Sequence, residues 1–133
     1  MNIKSPYMNN KTDIRDKKDI ALLVDAFYGQ VRKDPVLGPV FRQHIPDDSA
    51  WPTHLAVMAS FWNTLLFGQN DYHGNPFHKH IGLEIGAQHF ERWIGHFHQT
   101  IDLYFSGPVA DDAKLKSNKM RMIFESKLGI HSH

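Results

Sequence analysis

Large apolar residues recur at intervals of three and four along most of this chain, and no long stretch alternates with a period of two. Residues 88–105 show this spacing most clearly, with apolar side chains at Phe90, Trp93, Ile94, Phe97, Ile101, Tyr104 and Phe105. Such spacing places the side chains along one face of an α-helix. The same pattern predicts long helices over residues 16–33, 50–67 and 109–128 and a short one over residues 76–83. We therefore expect an all-α fold.

The ends of these helices are predicted from prolines, glycines and small polar residues. We expect residues 34–48 to form a connector with at most one helical turn, because they contain Pro35, Gly38, Pro39 and Pro46. Ser49 is the expected cap of the next helix, Pro52 fits its first turn and Gly68 ends it. The expected inward positions of the last helix are Ala113, Met120, Ile123, Phe124 and Leu128.

Size and charge narrow the possible classes of function. The 133 residues fit one domain, which we expect at residues 16–133 after a polar N-terminal arm at residues 1–15. The formal charge of +1 is too small for a nucleic-acid groove or a polybasic membrane surface. No apolar run approaches the roughly 20 residues of a membrane span, and the polar start has no signal-peptide core. We expect a cytoplasmic protein without nucleic-acid or membrane partners.

The histidines restrict the metal chemistry that this chain can carry out. There are ten histidines and no cysteine. No two histidines are three or four residues apart and none follows a Glu by three, so a zinc or di-iron site on helices is not expected. Nucleotide-binding glycine motifs and a nucleophile elbow are also missing. Haem iron, by contrast, needs only one axial imidazole, and without cysteine the haem must be held non-covalently.

Two histidines lie in surroundings that suit a haem pocket. His54 shares one helix face with Met58 and Trp62, and His80 lies three residues after Phe77. Two helices then each present one imidazole to a common apolar space. A histidine that forms hydrogen bonds in a structural role is the commoner case, so the spacing alone leaves both readings open.

A set of motifs is similar to the truncated haemoglobins. It comprises FYGQVRKDPVLGPVF at residues 27–41, WPTH at 51–54, FW at 61–62, LFG at 66–68, YHG at 72–74, PFHKH at 76–80 and HFERWIGHFHQTIDLYFSG at 89–107. The resemblance covers nearly the whole chain after about residue 16, and it implies a truncated-globin helical sandwich around one haem. The third group is the most similar, because the chain has no Gly-Gly pair, has Trp93 and lacks the arginine-rich segment of the second group.

The resemblance implies a role for each site residue. His80 matches the proximal iron ligand, Tyr28 and Trp93 match distal hydrogen-bond donors, and His54 matches a distal histidine that acts as a gate, binds iron as a sixth ligand or faces solvent. Their alternatives are an exposed helix residue for His80 and plain core packing for Tyr28 and Trp93. The expected haem walls are Phe27, Phe41, Met58, Phe61, Trp62 and Phe97, and the expected propionate partners are Tyr72, Lys79 and Arg92.

The implied function is that of an oxygen-binding globin with haem b. Donors in a dry pocket stabilise dioxygen, which carries partial negative charge, more than carbon monoxide. Slow oxygen release favours reactive use over transport: a dioxygenase reaction with nitric oxide, or peroxidase-like chemistry. Either needs a separate reductase, because the chain has no flavin or nicotinamide motif. The alternative is a haem-free all-α binding or interaction module whose aromatic residues only pack.

Overall fold

The computed structural model describes residues 11–45, 47–72, 74 and 85–129. Within them the chain forms five α-helices: α1 (Lys17–Lys33), α2 (Leu37–His44), α3 (Trp51–Phe67), α4 (Ala87–Tyr104) and α5 (Pro108–Lys127). A short 3-10 turn at Asp48–Ala50 leads into α3. The all-α prediction is confirmed. The short helix expected over residues 76–83 lies outside the described residues.

The prediction that the connector after α1 has at most one helical turn is wrong, because it contains the eight-residue helix α2. The carboxylate of Asp34 explains the difference, since it accepts hydrogen bonds from the backbone N–H groups of Val36 (2.7 Å) and Leu37 (2.9 Å). These are donors that a helix start leaves without partners. Pro39 falls in the first turn, where a missing N–H costs no helical hydrogen bond.

The start of α3 also differs from its prediction. Ser49 does not cap this helix; Asp47 instead accepts a hydrogen bond from the Ser49 N–H (3.0 Å) and starts the 3-10 turn. The other two predictions for this helix are confirmed. Pro52 lies in the first turn of α3, and the helix ends at Gly68, whose φ of 67° is a conformation that glycine adopts without strain.

Helix α1 lies at the centre of the fold, packed against α2, α3 and α4, while α5 packs against α4. The predicted inward face of α1 is fully confirmed by the burial of Ile20, Leu23, Val24, Phe27, Tyr28 and Val31. The prediction that Tyr104 and Ile123 face inward is wrong, because Tyr104 is 43% exposed and Ile123 is 51% exposed. Each precedes a buried phenylalanine: Phe124 lies about 100° further round α5, whereas Phe105 follows the end of α4 in extended backbone that pairs with Thr12.

The segment before α1 packs onto the helices. Thr12 forms a parallel bridge with Phe105, and Ile14 is buried in the core. The Asp13 carboxylate caps α5 by accepting hydrogen bonds from the N–H groups of Val109 and Ala110, both at 2.8 Å. Residues 12–14 therefore contact the domain, and the boundary expected after residue 15 stays a prediction. None of the described helices is long and apolar enough to cross a membrane.

Candidate functional site

A cavity of about 430 Å³ lies between the helices, a size typical of cofactor and small-molecule sites. All five helices contribute to its wall. Most of the lining is apolar or aromatic, and it includes Phe41, Met58, Phe61, Trp62, Phe90, Trp93, Met120 and Phe124. Four of the six predicted haem walls are in this lining: Phe41, Met58, Phe61 and Trp62.

Tyr28 places a phenol on the cavity wall. Its ring is buried and makes edge contacts with Phe41 (5.7 Å between ring centroids) and His54 (5.4 Å). Burial raises the pKa of Tyr28 to about 12, although a hydrogen bond with the Trp93 side chain acts in the opposite direction. At neutral pH the hydroxyl is therefore protonated and can donate a hydrogen bond.

Trp93 is the end of an aromatic stack that crosses the core. Its ring is stacked on Phe97 (5.5 Å, 8° between planes), and Phe97 is stacked on Trp62 (4.7 Å, 24°). Phe27 meets the edges of Trp93 and Phe97 at 5.5 and 5.1 Å. Phe27 and Phe97, which were predicted as haem walls, thus lie one layer behind the cavity. They hold in place the two tryptophans that line it.

His54 lies on the same side of the cavity as Tyr28. It is half-buried on α3, and its ring is 5.1 Å from the ring of Trp51 and 6.4 Å from that of Phe41. The structure therefore brings the three predicted distal residues, Tyr28, His54 and Trp93, to one cavity.

Neither of the two predicted propionate partners that the structure describes, Tyr72 and Arg92, is on the cavity lining. The guanidinium of Arg92 contacts the carboxylate of Asp34, at 2.9 Å from its Nε, and Tyr72 packs its ring on Phe61 at 5.2 Å. Lys79 lies outside the described residues. Arg92 is away from the lining because it pairs with the buried Asp34, and the sequence did not show that a buried acid would lie beside it.

Three polar residues that the sequence analysis did not assign line the cavity instead: His44, His89 and Arg121. His89 accepts a hydrogen bond from the Gly86 N–H through Nδ1 (2.9 Å), which fixes the ring at the start of α4. Arg121 is paired with Glu125 one helical turn later, at 3.2 Å. The sequence could have indicated Arg121, because it lies between Met120 and Phe124, two residues that were expected on the inward side of α5.

His80, the predicted iron ligand, lies with Phe77 outside the described residues. Its role stays a prediction. The described residues fit a haem in a different respect: the cavity has flat aromatic walls, a largely apolar lining and a buried phenol that is protonated at neutral pH. These are the properties that hold a porphyrin and tune what binds beside it.

Helices around an apolar cavity with an aromatic, hydrogen-bonding wall form the kind of pocket in which a globin holds its haem. The bacterial-like globin family model matches residues 13–126, and the chain belongs to this family.

One curated relative and one solved structure are similar to this chain over most of its length. The chain is 36% identical over 120 residues to the group 3 truncated hemoglobin of Campylobacter jejuni, covering 89% of this chain and 94% of the relative. The crystal structure of group III truncated hemoglobin from Campylobacter jejuni superimposes with a TM-score of 0.81 at 31% identity, covering 89% of this chain and 94% of that one. The predicted similarity to the third group of truncated haemoglobins is confirmed.

Proposed function

We propose that this globin binds haem b non-covalently through His80 and holds dioxygen against the side chains of Tyr28 and Trp93. The observation that carries the proposal is Tyr28, a protonated phenol buried in the wall of an apolar cavity beside the indole of Trp93. The indole N–H can only donate, and here it donates to the Tyr28 oxygen, so a ligand beside Tyr28 would meet the phenol hydrogen and would share the indole one. The distal side is therefore suited to a ligand that accepts hydrogen bonds.

A haem bound in this cavity would supply the iron site for a diatomic ligand and partial negative charge on bound dioxygen. The two donors then discriminate between ligands by the charge that each ligand carries. A hydrogen bond in a dry pocket contributes about 1–2 kcal/mol, or about tenfold in a rate of release. Carbon monoxide carries less negative charge than dioxygen, so it gains less from the same donors.

Slow release of dioxygen suits reaction better than transport. We therefore propose use of dioxygen against nitric oxide, or peroxidase-like chemistry, as the physiological role. Tyr28 and Trp93 exclude water from the distal side and hold the ligand in one orientation, while a separate reductase supplies electrons. His54 lies between Trp51 and Tyr28, and we propose that it gates entry to the cavity. The cytoplasmic location stays a prediction.

The distal roles are tested by rates of ligand dissociation. In Tyr28→Phe we expect dioxygen to dissociate about tenfold faster and carbon monoxide at a nearly unchanged rate, because one donor of about 1–2 kcal/mol is lost. Tyr104→Phe is the matched control, since the Tyr104 ring is exposed and outside the cavity lining. Stopped-flow measurements in which Tyr28→Phe behaves like Tyr104→Phe would refute the proposal.

The axial ligand and the haem type are tested separately. The pyridine haemochrome spectrum of the purified protein should be that of haem b, and His80→Ala should lose the five-coordinate ferrous spectrum until imidazole is added. A colourless protein that haem does not reconstitute would support the haem-free module instead. Membership of the globin family favours the haem-binding function over that alternative.

A further inference from the structure

The Asp34 carboxylate accepts five hydrogen-bond contacts from two parts of the fold. Asp34 directly follows α1, and its side chain is 2% exposed. Beyond the two N–H groups at the start of α2, its oxygens accept from Arg92 Nε (2.9 and 3.0 Å) and from His96 Nε2 (2.7 Å) on α4. Since a carboxylate only accepts, His96 must donate from Nε2. Asp34 thus joins the end of the Tyr28 helix to the middle of the Trp93 helix.

Helix α4 meets α1 through two adjacent rows of side chains. Arg92 and His96, four residues apart, form a polar row that contacts Asp34. Trp93 and Phe97, each one residue further on, form an apolar row that contacts Phe27. Apolar contacts are non-directional and tolerate a small rotation of a helix about its axis. Hydrogen bonds weaken steeply with angle, so the polar row fixes that rotation.

We propose that Asp34 is a positioning residue for the distal tryptophan: by holding Arg92 and His96 it sets the rotation of α4 and hence the direction of the Trp93 indole N–H. This inference rests on the proposed function of Trp93 as a distal donor. Asp34 does not line the cavity, so it acts on the ligand only through side chains that it positions, and the Trp93→Phe background below separates Trp93 from the lining residues of α2.

The kinetic test uses the haem-loaded protein and a double-mutant cycle. Asp34→Asn keeps an oxygen for the start of α2 but loses the charge-assisted contacts to α4. We expect dioxygen dissociation to accelerate several-fold, with carbon monoxide dissociation nearly unchanged. In a Trp93→Phe background the same substitution should add nothing further, because the group that it positions is absent. Equal acceleration in both backgrounds would overturn the proposal.

The matched control is Asp13→Asn. Asp13 also caps a helix with two backbone hydrogen bonds, but on α5, and we expect it to leave dioxygen dissociation unchanged. A similar acceleration in Asp13→Asn would show general loosening and overturn the proposal. If Asp34→Asn does not fold, Arg92→Gln removes both Arg92 contacts to Asp34 by changing a side chain that is 42% exposed, and it keeps the α2 cap. The same kinetic outcomes then apply to it.

A second readout does not depend on ligand kinetics. In the carbonmonoxy form, the indole N–H resonances of Trp51, Trp62 and Trp93 can be resolved, and Trp93→Phe identifies the third. We expect Asp34→Asn to shift the Trp93 resonance and raise its hydrogen-exchange rate several-fold, with the other two unchanged. No change, or an equal change in all three, would overturn the proposal. If Trp93→Phe leaves dioxygen dissociation unaltered, the proposed donor function fails, and this measurement still decides whether Asp34 positions the ring.

Discussion

The buried phenol of Tyr28 should reduce the stability of the protein at high pH. Burial raises its pKa from 10 to about 12, so between these values the unfolded chain releases a proton that the folded chain retains. The free energy of unfolding therefore falls as the pH rises, and this loss of stability begins near pH 10 and is nearly complete near pH 12. The full loss is about 2.7 kcal/mol at about 1.36 kcal/mol per pKa unit, and about half of it is reached at pH 11.

The comparison of wild type with Tyr28→Phe isolates this contribution, because the other three tyrosines are common to both. Urea unfolding of the carbonmonoxy forms at pH 8 and pH 11 should show the wild type losing about 1.4 kcal/mol more than the variant. Absorbance at 295 nm should show one tyrosine of the folded wild type ionising near pH 12, and this step should be missing in Tyr28→Phe. Equal losses of stability in the two proteins would refute the burial argument.

Three further substitutions test the packing that positions the site. Phe97→Ala should destabilise the fold by about 3–5 kcal/mol in chemical denaturation, since Phe97 is fully buried between the two tryptophans; a loss below about 1 kcal/mol would contradict this packing. Asp34→Asn should make the stability of the protein less sensitive to acid. Burial alone raises the pKa of Asp34, but hydrogen bonds from Arg92 and His96 lower it well below its usual range. The contribution of the Asp34 carboxylate to stability is therefore present above about pH 4 and is lost as the pH falls. Gly107→Ala should lower the thermal midpoint, because φ is +146° and a Cβ would lie 2.5 Å from the Asp13 side chain, whereas Gly29→Ala, which meets no described atom within 4 Å, should not.

Local patterns predicted what depends on local spacing. The inward face of α1 was correct because burial follows the helical period of its own residues. Helix α2 was missed because its start depends on a side chain three residues earlier and on distant partners in α4, 58 and 62 residues further along the chain. Contacts of that range leave no periodic signal in the sequence.

The same limit applies to the site. His54 was named from its helix spacing and then, like Tyr28 and Trp93, from a family resemblance; that the three line one cavity follows from packing that no single segment contains. His44, His89 and Arg121 were missed because a polar residue on a cavity lining has the same local pattern as one at the surface. Arg92 was expected beside a haem propionate, and its buried partner Asp34 could not be anticipated from the residues near it in the sequence.

The cavity itself should make the protein depend on its haem for stability. When the cavity of about 430 Å³ is empty, the apolar side chains that line it lose packing partners and meet water. Typical domains are stable by only about 5–15 kcal/mol, so the loss of these contacts is a large fraction of the total. We therefore expect haem extraction to lower the denaturation midpoint strongly and to loosen the Trp62–Phe97–Trp93 stack, seen as a loss of near-ultraviolet circular dichroism. Rebinding of haem should restore both, and an apoprotein as stable as the haem-loaded form would show that the cavity closes without it.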